Sequence, residues 1–332
     1  MNESTKRTLK KKGGENVIFQ IYNMDVFKAL KKIKSNSIDC VVTSIPYWQI
    51  RDYEGHQEQI GLEPTMEEYI EKIIMVFDEI HRVLKSTGTL FLNTGDTYSN
   101  GCSKIVGNND RKGYGKNKGY ITKKINTHIK KKSKMLIPQR IAIAMVDRGW
   151  ILRNNIIWDK MNPMPESVTD RFTNNFEDIF FFSKSTKYYF KKIYEPFADK
   201  TLTVYGKDNV YIDKEGKARE GKNKMMTCAK GWKNIVDERG RNKRCIWAVS
   251  TTSTFKSKHI ATFPEKLVDI CLKAGCPIGG IVLEPFLGSG TTMTVAKNNK
   301  MSCTGIEIVK NYVDIALDRV VDLFNKVEVI RK

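Results

Sequence analysis

The chain has few of the residues that usually announce a metal or a disulfide framework. Only four of its 332 residues are histidines, His56, His81, His128 and His259, and they stand far apart. The seven cysteines, Cys40, Cys102, Cys228, Cys245, Cys271, Cys276 and Cys303, form no CxxC pair. Zinc-ligand spacing is therefore missing and no metal is expected. The thiols read as reduced core or surface residues of a cytosolic protein. Long apolar runs are lacking too. None approaches the ~18 residues of a membrane span, so no membrane role is expected. Residues 1–15 are polar and lysine-rich, with no apolar stretch behind them. They read as a disordered basic tail and not as a signal peptide. Acidic residues are the last shortage: 37 Asp and Glu face 57 Lys and Arg, a net charge of +20. An excess of that size, clustered along the chain, favours a polyanionic partner.

What is present is a recurring alternation of strand and helix. Val17 to Tyr22 reads as a strand, Val26 to Ile33 has helical spacing, and Ser37 to Thr43 carries the continuous apolar run of a strand buried on both faces. Thr65 and Glu68 have the spacing of a capping box, and a helix with one apolar face follows to about Leu84. Gly88 closes that region, and Thr89 to Asn93 is the next strand. Further helices are expected at 136–148, 263–274, 291–297 and 311–324, and further strands at 150–158, 178–183, 280–283 and 302–306. This is the spacing of βαβ units and predicts an α/β fold around a mostly parallel sheet.

Two stretches break the pattern. Residues 99–134 hold eleven Lys and Arg, one acid (Asp110) and five glycines, the composition of a mobile basic loop. Residues 195–245 are polar and irregular, with thirteen Lys and Arg against eight acids, and read as an inserted recognition region. The organisation expected is thus a basic tail (1–15), a first half of the main domain (16–98), the basic loop (99–134), a continuation (135–194), the insertion (195–245) and a last half (246–332).

Two motifs carry the chemistry. The first, Glu284-Pro285-Phe286-Leu287-Gly288-Ser289-Gly290-Thr291-Thr292, joins a strand to a helix. Glycines there let the backbone approach a ligand, and a helix N-terminus offers free N–H groups. No Lys follows Gly290, against a nucleotide-triphosphate loop, and no third glycine stands near Met293, against a dinucleotide fingerprint. One strand later comes Glu307, placed as a ribose-binding acid would be. The second motif, Ser44-Ile45-Pro46-Tyr47, closes an upstream strand, with Trp48 behind it.

Taken together and in this order, the two motifs resemble those of the β-class amino-methylating DNA methyltransferases. The likeness continues through Gln49 to Tyr53, Gln59 to Pro64, Leu92 to Tyr98, Asn162 to Ser167 and Phe176 to Phe182, and covers most of residues 17–325. It departs from the family at Glu284, where Asp is usual, and at Ile45, where Pro is usual. The resemblance implies a Rossmann-like S-adenosylmethionine-dependent methyltransferase fold with basic insertions. It implies S-adenosyl-L-methionine as cofactor, held by Phe263, Pro264, Glu284, Pro285, Phe286, Gly288, Ser289, Gly290, Thr291, Thr292 and Glu307. Asp25 is either the family's acid near the cofactor adenine or an ordinary helix N-cap.

The activity implied is methyl transfer to an exocyclic base amine in double-stranded DNA, with the base flipped out of the duplex. Ser44 and the Ile45 carbonyl would accept hydrogen bonds from the amine, Pro46 would fix the chain direction and Tyr47 would stack on the base. Ser44 leans the choice towards cytosine N4, with adenine N6 or a catalytically weakened DNA-binding relative as alternatives. Lys112, Lys116, Lys118, Lys123, Lys124, Lys130, Lys131 and Lys132 are the expected phosphate contacts. A cytoplasmic prokaryotic or phage enzyme follows, monomeric or homodimeric, with a cognate restriction endonuclease as candidate partner.

Overall fold

The computed structural model describes residues 17–50, 56, 58–99, 128–196, 211–212, 218–219, 239–251, 263–321 and 327–331. The basic tail, Arg51 to Tyr53, Thr262, most of the basic loop including Lys112, Lys116, Lys118, Lys123 and Lys124, and most of 195–245 lie outside them.

The chain divides into a large unit, residues 1–190 with 246–332, and a small one, Lys191–Cys245. In chain order the large unit contains β1 (Phe19–Asn23), α1 (Val26–Lys32), β2 (Ile38–Ser44), α2 (Met66–Val83) and β3 (Leu84–Thr94). Then come α3 (Ile137–Asp147), β4 (Ile151–Asp159) and β5 (Phe176–Ser183). The small unit has two antiparallel pairs, β6 (Tyr194–Glu195) with β9 (Arg241–Asn242) and β7 (Tyr211–Ile212) with β8 (Ala218–Arg219). Within it Glu195 pairs with both Arg241 and Arg244. The large unit resumes with β10 (Ile246–Ala248), α4 (Glu265–Gly275), β11 (Ile281–Glu284), α5 (Thr291–Asn298), β12 (Ser302–Ile306), α6 (Lys310–Val320) and β13 (Val327–Arg331).

Among the described residues nine strands form one sheet in the order β10-β4-β5-β3-β2-β11-β12-β1-β13. All neighbours are parallel except β5, which runs against both β3 and β4. Alternate residues of the central strands face opposite layers. Val41, Leu90, Leu92, Phe180 and Phe182 pack into the core with Ile73, Phe77 and Ile80 of α2 and with α1 and α3. On the other face Gly275 of α4 lies so close to Cys40, Thr89 and Phe91 that a Cβ there would meet Thr89 Oγ1 at 2.5 Å. The run Cys40-Val41-Val42 is wholly buried because both faces are covered.

The expected helices and strands are present, with shifted ends. The capping box at Thr65 and Glu68 forms in both directions and starts α2. Gly88 is a correction: it lies inside β3, which begins at Leu84. The last helix ends at Val320 and not near Phe324, and β13 follows it, pairing with β1.

From β2 the chain crosses through α2 to β3 on one side, and from β11 it crosses through α5 to β12 on the other. The sheet's direction of winding therefore reverses between β2 and β11, at whose carboxyl ends a doubly wound sheet opens a crevice.

Candidate active site

The two sequence motifs, far apart in the chain, end adjacent strands. Cys40 and Val41 of β2 lie in register with Val282 and Leu283 of β11. Ser44 and Glu284 thus reach the same edge of the sheet as neighbours. Because β5 is reversed, its beginning comes to this edge as well and brings Glu177.

The β11 motif folds as a tight turn onto α5. Gly288 and Gly290 both have positive φ, +52° and +80°. Glu307, buried just beyond β12, accepts the Gly288 N–H at 2.8 Å through Oε2 and the Val309 N–H at 2.8 Å through Oε1. It therefore ties the turn to the end of the next strand. Glu284 is buried in the turn, accepting from Thr292 Oγ1 at 2.8 Å and from the Phe286 N–H at 3.2 Å. Burial is the main reason its carboxyl is pushed up to about 8, although both hydrogen bonds favour the charged form.

A Cβ on Gly290 would meet Ala316 Cβ of α6 at 2.8 Å, so this glycine makes room for a helix. Asp25 caps α1, accepting from Phe27 N–H at 3.0 Å and Lys28 N–H at 3.1 Å. Phe263 packs edge-on against Trp158 at 6.3 Å, and Pro264 is the N-cap residue of α4.

Sequence reading missed Arg319. From α6 it donates to the Ser289 carbonyl at 2.9 Å and to Ser289 Oγ and Thr291 Oγ1 at 3.0 Å each, while bonding Glu265 on α4. A lone arginine on an amphipathic helix gives no signal of this in sequence.

The β2 motif is held from several sides. The Ile45 N–H donates to the Asn93 carbonyl at 3.4 Å, a bond that the family's usual proline has no hydrogen to make. Ile45 itself is buried. The Tyr69 hydroxyl donates to the Pro46 carbonyl at 2.8 Å, and Trp48 stacks on Tyr69 while its indole N–H bonds the Glu63 carbonyl. Tyr47 is half-buried. Its hydroxyl donates to Glu177 Oε2 at 2.7 Å, with Asn93 Oδ1 at 3.4 Å. Glu177 also accepts from Lys160 Nζ at 2.6 Å and Asn93 Nδ2 at 3.1 Å. Burial first, and then the Glu177 charge, raise the Tyr47 phenol, which stays neutral. Gly95 lies against the ring: a Cβ there would stand 2.7 Å from Tyr47 Cε2. Asn93, Gly95 and Glu177 all fall in segments that carry the family resemblance, but sequence alone assigned them no contact.

Of the basic residues, Lys130, Lys131 and Lys132 are described and exposed. Lys132 is paired with Asp170. Among the described residues no cluster of His, Cys, Asp and Glu could hold a metal, and no helix is long and apolar enough to cross a membrane.

A doubly wound sheet, a glycine turn braced by an acid from the next strand, and a polar-Pro-aromatic strand end beside it define the class of nucleoside-cofactor-dependent methyltransferases. The chain belongs to the N6/N4 DNA methylase family, whose profile matches residues 38–318. S-adenosyl-L-methionine is the methyl donor of that family and the cofactor of this chain. It is 34% identical over 303 residues to the type II methyltransferase M.Cfr9I of Citrobacter freundii, covering 90% of this chain and 86% of the relative. To M.SmaI of Serratia marcescens it is 35% identical over 298 residues, covering 89% and 88%. Among solved structures, the DNA modification methylase TTHA0409 of Thermus thermophilus, complexed with S-adenosyl-L-methionine, has a TM-score of 0.57 at 19% identity, covering 95% of this chain and 98% of that one. The cytosine-N4-specific PvuII DNA methyltransferase has a TM-score of 0.54 at 17% identity, covering 95% and 92%.

Proposed function

We propose that this DNA methyltransferase modifies the N4 amine of cytosine, as the modification enzyme of a type II restriction system with a cognate endonuclease. The observation that carries the reading is Ser44, a neutral hydroxyl, at the end of β2 beside the turn of β11. Adenine-N6 members mostly place a carboxylate or amide at that position.

When bound, the cofactor supplies a methyl group on a positively charged sulfur. The rest falls to this chain. The exocyclic amine is conjugated with its ring and must be held out of plane and aligned. Ser44 Oγ and the Ile45 carbonyl accept hydrogen bonds from its N–H groups, and Pro46 sets the direction of that carbonyl. Tyr47 provides the stacking face for the flipped base; the bond from its hydroxyl to Glu177 anchors the end of the ring, and Gly95 packed against it limits rotation of its plane. Glu307 has the position of a ribose-binding acid, Phe286 offers an apolar face to the cofactor, and Asp25 lies at the same edge for the adenine. Glu284, Pro285, Gly288, Ser289, Gly290, Thr291 and Thr292 shape the methionine end, with Phe263 and Pro264 beside it. The lysines of 99–134 hold phosphates without reading bases, and 195–245 reads the sequence. The names of the relatives, type II methyltransferases over nearly their whole length, support the restriction-modification setting.

The test is chemical. DNA methylated in vitro is digested and its nucleosides are identified by mass spectrometry, then the modified positions are mapped by sequencing. N4-methylcytosine within one short recognition sequence is expected. N6-methyladenine without N4-methylcytosine moves the assignment to adenine, and no modified base at all makes the chain a binding protein.

A further inference from the structure

The loop 160–175 joins β4 to β5, and its stretch Asn162 to Ser167 carries the family resemblance. It is tied shut at its base. The Lys160 N–H donates to the Asn175 carbonyl at 2.8 Å, and Asn175 Nδ2 donates to Asp159 at 2.9 Å. It is braced above. Arg171 bonds Glu166 at 2.6 Å and lies 4.0 Å over the Tyr98 ring, and Asn162 accepts from the Thr251 N–H at 2.7 Å. Pro163 and Pro165 stiffen the span between them. What this bracing presents to solvent is apolar: Met164 is 87% exposed and Phe172 97% exposed, with Met161 and Val168 also outward. Surface apolar residues occur singly in any protein, but a cross-braced loop that holds several of them out in water marks a binding surface.

The charge around the loop selects the occupant. Lys130, Lys131 and Lys132 lie on the segment joined to it by the ion pair from Lys132 to Asp170, and Lys134 sits over Phe176 at its far end. Both feet of the loop belong to the base site, since Lys160 and Glu177 are the pair that holds the Tyr47 hydroxyl. Apolar tips on a basic rim beside a flipping pocket match a duplex whose bases are being unstacked, where proteins insert Phe and Met as wedges between steps.

We infer that Met164 and Phe172 form a wedge that enters the base stack of duplex DNA next to the extruded target and holds the duplex open. This rests on the proposed methyl transfer to DNA, but wild-type turnover on the mapped site tests that reading separately.

The experiment compares wild type with Met164→Ala, Phe172→Ala and the double variant on two synthetic duplexes of the mapped site. In one the target is paired, and in the other it faces an abasic position, so the base is already free to leave. The double variant is expected to lose about ten-fold or more in kcat/KM on the paired duplex. It should come within about three-fold of wild type on the pre-opened one. Both side chains are solvated, so folding is not at risk, and calorimetric S-adenosyl-L-methionine affinity equal to wild type confirms it. Equal rates on the paired duplex overturn the wedge, as does a loss of the same size on both duplexes. A dimer that dissociates on double substitution with paired-duplex activity intact also overturns it and gives the surface to a second copy of the chain.

Discussion

Tyr47 shows how a single side chain is made fit for one task. A phenol ring proposed to receive a base should be held in one orientation. Here Gly95 lies against the ring, and its hydroxyl is held by a carboxylate that is itself held by Lys160 and Asn93. Tyr47→Phe keeps the ring and removes the tether, whereas Tyr47→Ala removes the stacking face, worth ~1–3 kcal/mol per base. The expected order of kcat/KM on duplex DNA is wild type, Tyr47→Phe, Tyr47→Ala, with Glu177→Ala close to Tyr47→Phe. Cofactor affinity should be the same in all four. A Tyr47→Phe enzyme as fast as wild type would show that the tether positions nothing.

Glu284 makes a prediction about pH. Its carboxyl sits at about 8 in the fold, against 4.5 ordinarily. Between those values the folded protein keeps a proton that the unfolded chain has released, so stability falls as pH rises through this window. Below about 4.5 both states are protonated, and this group's contribution is at its fullest. Glu284→Gln is always neutral and should remove the slope. Melting temperatures of the cofactor-free proteins between pH 5 and pH 9 are the measurement. Wild type should lose ground against the variant as pH rises, and a constant difference would mean that the carboxyl titrates normally.

Among the elements, the turn between β11 and α5 depends on a neighbour that sequence does not reveal. Gly290 combines φ of +80° with a Cβ direction aimed at Ala316. Gly290→Ala should cost about 1–3 kcal/mol, part from the left-handed backbone and part from the clash. Adding Ala316→Gly should recover only part of the clash, because the Ala316 Cα also stands 3.0 Å from that Cβ and glycine weakens α6. Thermal unfolding of both variants measures this. Full recovery in the double variant would mean that the backbone conformation costs nothing, and no recovery would mean that α6 yields freely.

The same turn shows where legibility stopped. Local signals were readable: the capping box of α2, the apolar run of β2, the glycine turn after β11. They depend on residues within one or two turns of chain. What could not be read was set by partners far along it. The Phe176 to Phe182 run announces a strand but not its direction, and the reversal of β5 is what brings Glu177 to Tyr47. β13 has no buried residue and lies at a sheet edge, so its five residues carry too little apolar signal to be noticed without β1 beside them. Arg319 looked like any solvated charge until α6 was laid across the turn.

The surplus of positive charge belongs to the protein taken entire. A net charge of +20 draws a polyanion from any direction and gives no register, whereas basic side chains that contact phosphates would also place a duplex. Each phosphate neutralised contributes about 0.9 to the slope of log affinity against log salt. Lys130 and Lys131 are exposed, and replacing each with Ala should flatten the slope by about that amount. Lys132 differs, because Asp170 already neutralises its ammonium, and the pairing holds the Asp170 carboxyl below its usual range. Its Ala variant should change the slope by less than half as much, and Asp170→Asn should steepen it by freeing the lysine for DNA. Fluorescence anisotropy on one duplex across a salt series reads all four. An unchanged slope in the Lys130 and Lys131 variants would move the phosphate contacts elsewhere on the protein, and an equal effect at Lys132 would mean that the ion pair with Asp170 gives way to the backbone of DNA.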